Sequence, residues 1–286
     1  MVQHLIVPVD GSPESWTGFD VACALAARCD TDIRVVHVAF APSERGAALD
    51  VIQREIDRRT SFDVPVTLEV RIAHDTVAGE LDQVLDLHPG AIIVMASHGK
   101  GRSAAIVGSV TEDMLQRSFG PLLLVGPHTR PDDFSGLVLV TVDGSEESEF
   151  ALPLAAAWAT DLRTSPWIVN VARPANPPAI SQPPADTLET AYTARLARQL
   201  ESVSGHAVGF DELHGKHAAN AVAEYATTHA ASLIVASSHG RSGLSRLAMG
   251  SVVSGIVRRA TCPVLVVRLP HAERARTTPA AASVQA

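Results

Sequence analysis

Apolar positions along this chain fall into two patterns that take turns. Leu5 to Val9 and Ala91 to Ala96 are short, nearly all-apolar runs that mark strands, Ile33 to Ala39 is β-branched and strand-like, and Val66 to Val70 reads as a further strand. Between them Leu49, Ile52 and Ile56 recur at helical spacing, and Asp75 to Leu87 reads as a further helix. Asp10-Gly11-Ser12 closes the first run as a turn, and Pro13 and Glu14 then open a helix with Ser12 as its expected N-cap. Ala91 to Ala96 and Ser232 to Ala236 are almost wholly apolar, as strands buried on both faces must be. Helices are predicted from about Gly108 to Arg117 and Gly250 to Arg259, with Arg117, Arg258 and Arg259 at the ends where cations complement the dipole. A proline opens the last strand of each half. Strand and helix in strict alternation predict a parallel sheet with helices on both faces, although the order of strands is not legible from this pattern.

The pattern also repeats as wording. His4-Leu5-Ile6-Val7-Pro8-Val9-Asp10-Gly11-Ser12 returns 133 residues later as Leu137-Val138-Leu139-Val140-Thr141-Val142-Asp143-Gly144-Ser145. Ala96-Ser97-His98-Gly99 returns as Ser237-Ser238-His239-Gly240, Gly108-Ser109-Val110 as Gly250-Ser251-Val252, and Pro121 to Val125 as Pro263 to Val267. Four blocks in one order make two tandem domains, predicted at 1–127 and 136–269. The linker is Gly126 to Gly136, and 270–286 is an expected loose tail. The main insertion falls at Arg173 to Asp186, where five prolines predict a stiff extended loop. The helix after it carries the stripe Leu188, Tyr192, Leu196, Leu200 and Val203.

Composition narrows the function classes. At 286 residues and 46% hydrophobic against 19% charged, two globular domains fit. A net charge of −8 argues against nucleic acid or an anionic membrane as partner. It leaves phosphate ligands open, because backbone N–H groups hold phosphate without basic side chains. Met1-Val2-Gln3-His4 leads straight into a strand with no basic and long apolar leader, and no run approaches the roughly 18 apolar residues of a membrane span. Cys23, Cys29 and Cys262 show no C-x-x-C spacing, so a reducing cytoplasm is expected.

Two strand ends look chemically prepared. One is Asp10-Gly11-Ser12, repeated as Asp143-Gly144-Ser145. The other is the glycine loop running from Ala96-Ser97-His98-Gly99 to Gly108-Ser109, repeated from Ser237-Ser238-His239-Gly240-Arg241-Ser242-Gly243 to Gly250-Ser251. A glycine loop feeding a helix N-terminus converges N–H donors on an anion, Ser109 or Ser251 adds a hydroxyl at the cap, and an acidic residue nearby suits a ribose or base edge. The bland alternatives are a turn, a cap and a solvated loop. Ser97 beside His98 and Ser238 beside His239 lack a Gly-x-Ser-x-Gly elbow. His214 and His217 are spaced like metal ligands but lack a third partner.

The second half, Ser237-x2-Gly240-x9-Gly250-Ser251, resembles the Gly-x2-Gly-x9-Gly-Ser/Thr nucleotide motif of the universal stress protein family, and "VPVDGS" and "CPVLVV" are similar to that family's opening and closing strands. The resemblance spans both halves. It implies two tandem, Rossmann-like open α/β sheets of the adenine nucleotide alpha hydrolase type, five parallel strands each in the order 3-2-1-4-5. It also implies dimer-like domain pairing, with a homodimer as a further option, and a cytoplasmic stress role. ATP, with Mg2+ as an option, is bound in one subgroup. Carried over residue by residue, the nucleotide-binding positions are Pro8, Asp10, Val38, Ala96, Gly99, Gly108, Ser109 and Val110, then Thr141, Asp143, Val171, Ser237, His239, Gly240, Arg241, Gly243, Gly250, Ser251 and Val252. Asp10 and Asp143 would face the nucleoside, Val38 and Val171 would lie near adenine, and the glycine loops and serines would hold phosphates.

Two departures matter. Ala96 and Ser237 replace the first motif glycine, which predicts strain if that position needs positive φ. The gap from Gly99 to Gly108 holds eight residues instead of nine, so the second site is expected to bind and the first to bind weakly or not at all. The reading is a non-catalytic ATP-binding regulatory module. The alternative is a nucleotide-free stress protein acting through dimer or partner contacts. An enzyme on the same sheet is disfavoured, since Ser-Gly-Gly-x-Asp-Ser, G-x-G-x-x-G and G-x-x-x-x-G-K-[ST] are all absent.

Overall fold

The computed structural model describes residues 2–60, 64–99, 107–117, 120–172, 185–238 and 249–268. The first half runs β1 (His4–Pro8), α1 (Pro13–Cys29), β2 (Asp32–Ala39), a 3-10 turn (Pro42–Glu44), α2 (Arg45–Arg59), β3 (Val66–Ile72), α3 (Val77–Leu87), β4 (Ala91–Ala96), α4 (Ser109–Arg117) and β5 (Leu122–Val125). The second runs β6 (Leu137–Val142), α5 (Glu146–Glu149), α6 (Ala151–Asp161), β7 (Pro166–Ala172), α7 (Ala185–Ser204), β8 (Gly209–His214), α8 (Ala218–Thr228), β9 (Ala231–Ser237), α9 (Ser251–Val257) and β10 (Val264–Val267).

The two sheets are not separate. One ten-stranded sheet runs β3-β2-β1-β4-β5-β10-β9-β6-β7-β8. Within each half the strands are parallel in the order 3-2-1-4-5, and the halves meet where Leu122–Leu124 pairs antiparallel with Val264–Val266. The last strands therefore seal each other, while β3 and β8 remain as edges. That antiparallel seam also points the carboxyl ends of the two halves toward opposite rims of the sheet.

Two apolar layers sandwich the sheet. Phe19, Leu25 and Ile52 of α1 and α2 share a cluster with Trp158 and Leu196 of α6 and α7. Leu81 and Met114 of α3 and α4 share the other with Val222 and Ile256 of α8 and α9. Both clusters cross the seam, so the halves form one folded body. Arg28 of α1 reinforces it by donating from Nε and a terminal nitrogen to Leu162 O beyond α6, at 3.0 and 2.6 Å. Gly126 to Gly136 is packed rather than loose: Phe134 is buried at φ 57°, and Gly136 N–H donates to Ser232 Oγ at 2.7 Å.

Some helical expectations shift. Leu49 and Val203 are exposed, at 37% and 84%, so the apolar stripes of α2 and α7 are shorter than their spacing suggests. The first helix of the second half breaks at Phe150, because Pro153 has no N–H to continue the ladder back to Glu149. Residues 173–184 of the proline-rich insertion, with all five prolines, and the tail lie outside the described residues, while its predicted end at Ala185 and Asp186 opens α7.

Candidate functional site

At the centre of each half the strand order reverses, and the strands there separate. β1 pairs with β4 only through His4–Ile6, and β6 with β9 only through Leu137–Val140. Beyond those registers no pairing is made, and this is the switch point whose crevice is the usual ligand position in an open α/β sheet.

One wall of each crevice is the Asp-Gly-Ser turn. Gly11 and Gly144 take φ of 80° and 83°, a left-handed turn that glycine adopts without strain. Asp10 Oδ1 accepts from Ser12 N–H at 2.9 Å and from Ser12 Oγ–H at 2.5 Å. Asp143 Oδ1 accepts the matching pair from Ser145 at 3.1 and 2.6 Å. The same serines cap the helices that follow, accepting from Ser15 N–H and Ser148 N–H, each at 3.2 Å. Each aspartate is thus held in one rotamer at the rim. Beside it, His37 Nδ1 donates to Val9 O at 2.8 Å, a restraint the sequence did not single out.

The other wall is the glycine loop. Gly99 lies so close to Asp10 that a Cβ there would sit 2.7 Å from Asp10 Oδ2. The two predicted elements of the first half therefore meet, and only glycine allows the approach. Gly108 N–H donates to Ser97 O and Gly250 N–H to Ser238 O, both at 2.8 Å. A Cβ on Gly250 would stand 3.2 Å from that carbonyl. These glycines cap their helices, with Glu112 N–H bonded to Gly108 O and Ser254 N–H to Gly250 O. Ser109 and Ser251 are consequently the first helical residues, exposed and one position inside the expected cap. Their hydroxyls flank the N–H groups of a first turn that has no intrahelical acceptors.

Ala96 and Ser237 end β4 and β9, and neither has positive φ. The strain expected from losing the first motif glycine is absent, because that position is ordinary extended backbone. Pro8 and Thr141 sit half-buried near the ends of β1 and β6. Val38 is buried and packs into the α3–α4 core, and Val171 packs against the matching core of the second half. Val110 is half-buried, whereas Val252 is exposed at 45%. His239, Gly240, Arg241 and Gly243 lie outside the described residues, as does 100–106 of the first loop.

The universal stress protein family model matches residues 1–126 and again 136–268. The chain belongs to the universal stress protein family. Two universal stress proteins of Mycobacterium tuberculosis are 26% and 27% identical to it, over 93% of this chain and 97% and 95% of their own. Among solved structures, a universal stress protein from Archaeoglobus fulgidus superposes with a TM-score of 0.70 at 17% identity, covering 95% of this chain and 98% of that one. A putative universal stress protein from Pseudomonas aeruginosa gives 0.61 at 16%, covering 93% of each. The structural likenesses establish the fold. Within this family member the crevice chemistry must be argued from its own residues.

Ser97 and His98 are both buried, with Oγ and Nδ1 3.3 Å apart. Burial pushes the thiols up, to about 12 for Cys23 with Asp20 adding to it, to about 11 for Cys29 with Asp161 adding, and to about 12 for Cys262. Thiols held that far above neutral are poor nucleophiles. Among the described residues no group of three or more His, Cys, Asp or Glu is arranged to hold a metal, and no helix is long and apolar enough to cross a membrane.

Proposed function

We propose that this universal stress protein binds an adenine nucleotide, ATP being the expected ligand, in the second-half crevice and acts as a regulatory module without turning the nucleotide over. The observation that carries the reading is the register of β6 against β9, which sets the Asp143 turn beside the Ser238–Gly250 loop contact and the start of α9. Asp143 would receive a ribose hydroxyl, Val171 would floor the base, and the first-turn N–H groups with Ser251 Oγ would receive phosphate. Mg2+ would enter with the triphosphate. The non-catalytic part of the proposal is supported by the sequence, which lacks the Ser-Gly-Gly-x-Asp-Ser, G-x-G-x-x-G and G-x-x-x-x-G-K-[ST] loops of enzymes built on such sheets.

The first half keeps the same turn and loop contacts with a shorter glycine loop, and the proposal gives it the weaker site. Calorimetric titration of ATP into nucleotide-stripped protein tests both assignments, with Gly250→Asp and Gly108→Asp beside the wild type. Loss of the saturable heat in Gly250→Asp alone is the expected result. No heat in the wild type, with no nucleotide released on denaturation, would leave a protein that works through its surfaces.

A further inference from the structure

We propose that the two crevices are coupled through a closed ring of contacts, so that fixing the head of α4 restrains the head of α9 and the reverse. The ligand's identity rests on the nucleotide reading above; the ring does not. It starts at Ser97, whose N–H donates to Val125 O at 2.9 Å and whose carbonyl accepts from Gly108 N–H at the head of α4. Gly126, next after Val125, lies against Val257 O at the foot of α9, where a Cβ would overlap that oxygen. Arg130 N–H fixes the same junction by donating to Thr261 O at 3.0 Å, and Thr129 Oγ reaches Cys262 O at 3.5 Å. The head of α9 is the second loop, where Gly250 N–H donates to Ser238 O and Ser238 N–H donates to Val267 O at 2.7 Å. Arg268 follows directly. Its guanidinium donates to Leu115 O, and to Gln116 O at 2.6 Å, at the foot of α4. α4 then leads back to Gly108, and the ring closes.

The antiparallel seam makes this possible. Each helix that starts at one crevice ends beside the strand that finishes at the other. α4 and α9 are short hydrogen-bonded rods whose Met114 and Ile256 are fully buried in one apolar layer, so an axial shift is not absorbed by slack packing. A ligand that fixes the head of α4 therefore restrains its foot, and Arg268 passes that restraint to the residue bonded to Ser238. The head of α9 at Gly250 then has less freedom to lose on binding, which is positive coupling.

The ring's two crossings differ in chemistry. One is backbone against backbone at Gly126, while the other is a single cationic side chain at the negative end of the α4 dipole. Arg268 can thus be cut without touching either crevice, and it acts as a positioning residue.

Amide hydrogen exchange on the full chain without nucleotide tests the ring. In Arg268→Ala the Gly108 N–H, a helix length from the lost contact, is expected to exchange about 2- to 30-fold faster, the range that residues along coupling networks produce. Arg268→Lys, which keeps a positive donor, should recover part of the protection. Acceleration confined to Leu115–Arg117 with Gly108 unchanged overturns the proposal. With ATP added, the wild type should gain protection at both Gly108 and Gly250, and Arg268→Ala should gain less at the distant one, because only the Gly126 crossing remains to carry the restraint. No ATP effect in the wild type counts against the nucleotide reading only, and the ligand-free comparison still decides the ring.

Discussion

In the first domain the end of β3 is tied to α3 by a buried carboxylate, and in the second the same place is open. Glu80 accepts from Arg71 Nε at 2.8 Å and from His74 N–H and Nδ1 at 3.1 and 2.9 Å, while Arg71 also reaches Glu69 and Gln83. Burial works to raise the Glu80 pKa, but the hydrogen bonds from His74 and Arg71 outweigh it and hold the carboxyl below its ordinary range. At the matching register β8 presents Leu213 where β3 has Arg71, and α8 has Ala221 at its fourth position where α3 has Glu80. There Tyr225 of α8 instead donates to Asp211 of β8, and a cleft of about 430 Å3 lies beside α8. The helix caps differ as well: Thr76 accepts from Gly79 N–H, whereas His217 makes no side-chain cap bond. The crevices kept their turn and loop contacts in both copies while the outer strands drifted. Repetition preserved what the switch point needs and left each edge to solve its own packing.

Five substitutions and one control would break or sharpen this comparison. The largest effect belongs to the seam that both domains share. Gly126→Ala places a methyl in Val257 O and should cost about 3 kcal/mol or more, whereas Gly46→Ala in α2, with nothing within 4 Å, should be neutral or stabilising. Denaturant midpoints of the two variants decide it; equal midpoints would mean the seam yields easily.

Next comes Glu80→Ala, which gives α3 the residue that α8 already has. Removing one partner of a buried pair should cost about 3 kcal/mol. The carboxyl's folded pKa is depressed, so its contribution is full above the unfolded value of about 4.3 and fades as pH falls through the folded one. Wild type and variant should therefore converge in acid. A gap unchanged between pH 7 and pH 3 would contradict an ionised Glu80.

Ser12→Ala and Ser145→Ala test whether the conserved frame is equivalent in the two copies. Each removes an N-cap and should cost about 1 kcal/mol, with matching shifts in thermal unfolding. A difference beyond measurement error would show that one turn carries more of the fold.

The smallest effect lies before the central strands. Gly90 and Ala230 both adopt positive φ, 81° and 50°, but only the first is glycine. Ala230→Gly should stabilise by about 0.5 kcal/mol, the relief of left-handed strain offset by greater freedom of the unfolded chain. Destabilisation on unfolding in urea would refute the strain.

Much of this was legible in the chain because it depends on local chemistry. Every predicted strand of the repeat is present, and the central ones are apolar runs buried on both faces, as Ile93 and Ile234 are. Gly11 and Gly144 announced their turns for the same reason. The role of Gly250 was misread by one position, because its close approach to Ser238 O depends on a chain segment twelve residues away. Arg268 left no signal beyond its charge, and its partners lie more than 150 residues earlier.

Sequence alone determined two copies of a strand–turn–helix frame, the family they belong to and the residues at the strand ends, because periodicity and turn chemistry act over a few residues. Only the tertiary structure decided that the two sheets are one, that the crevices open on opposite rims and that Ala96 and Ser237 bear no strain. Those facts follow from how β5 meets β10 and where β1 parts from β4. Pairing direction and divergence are set by packing across the whole sheet, which no local stretch of the chain encodes.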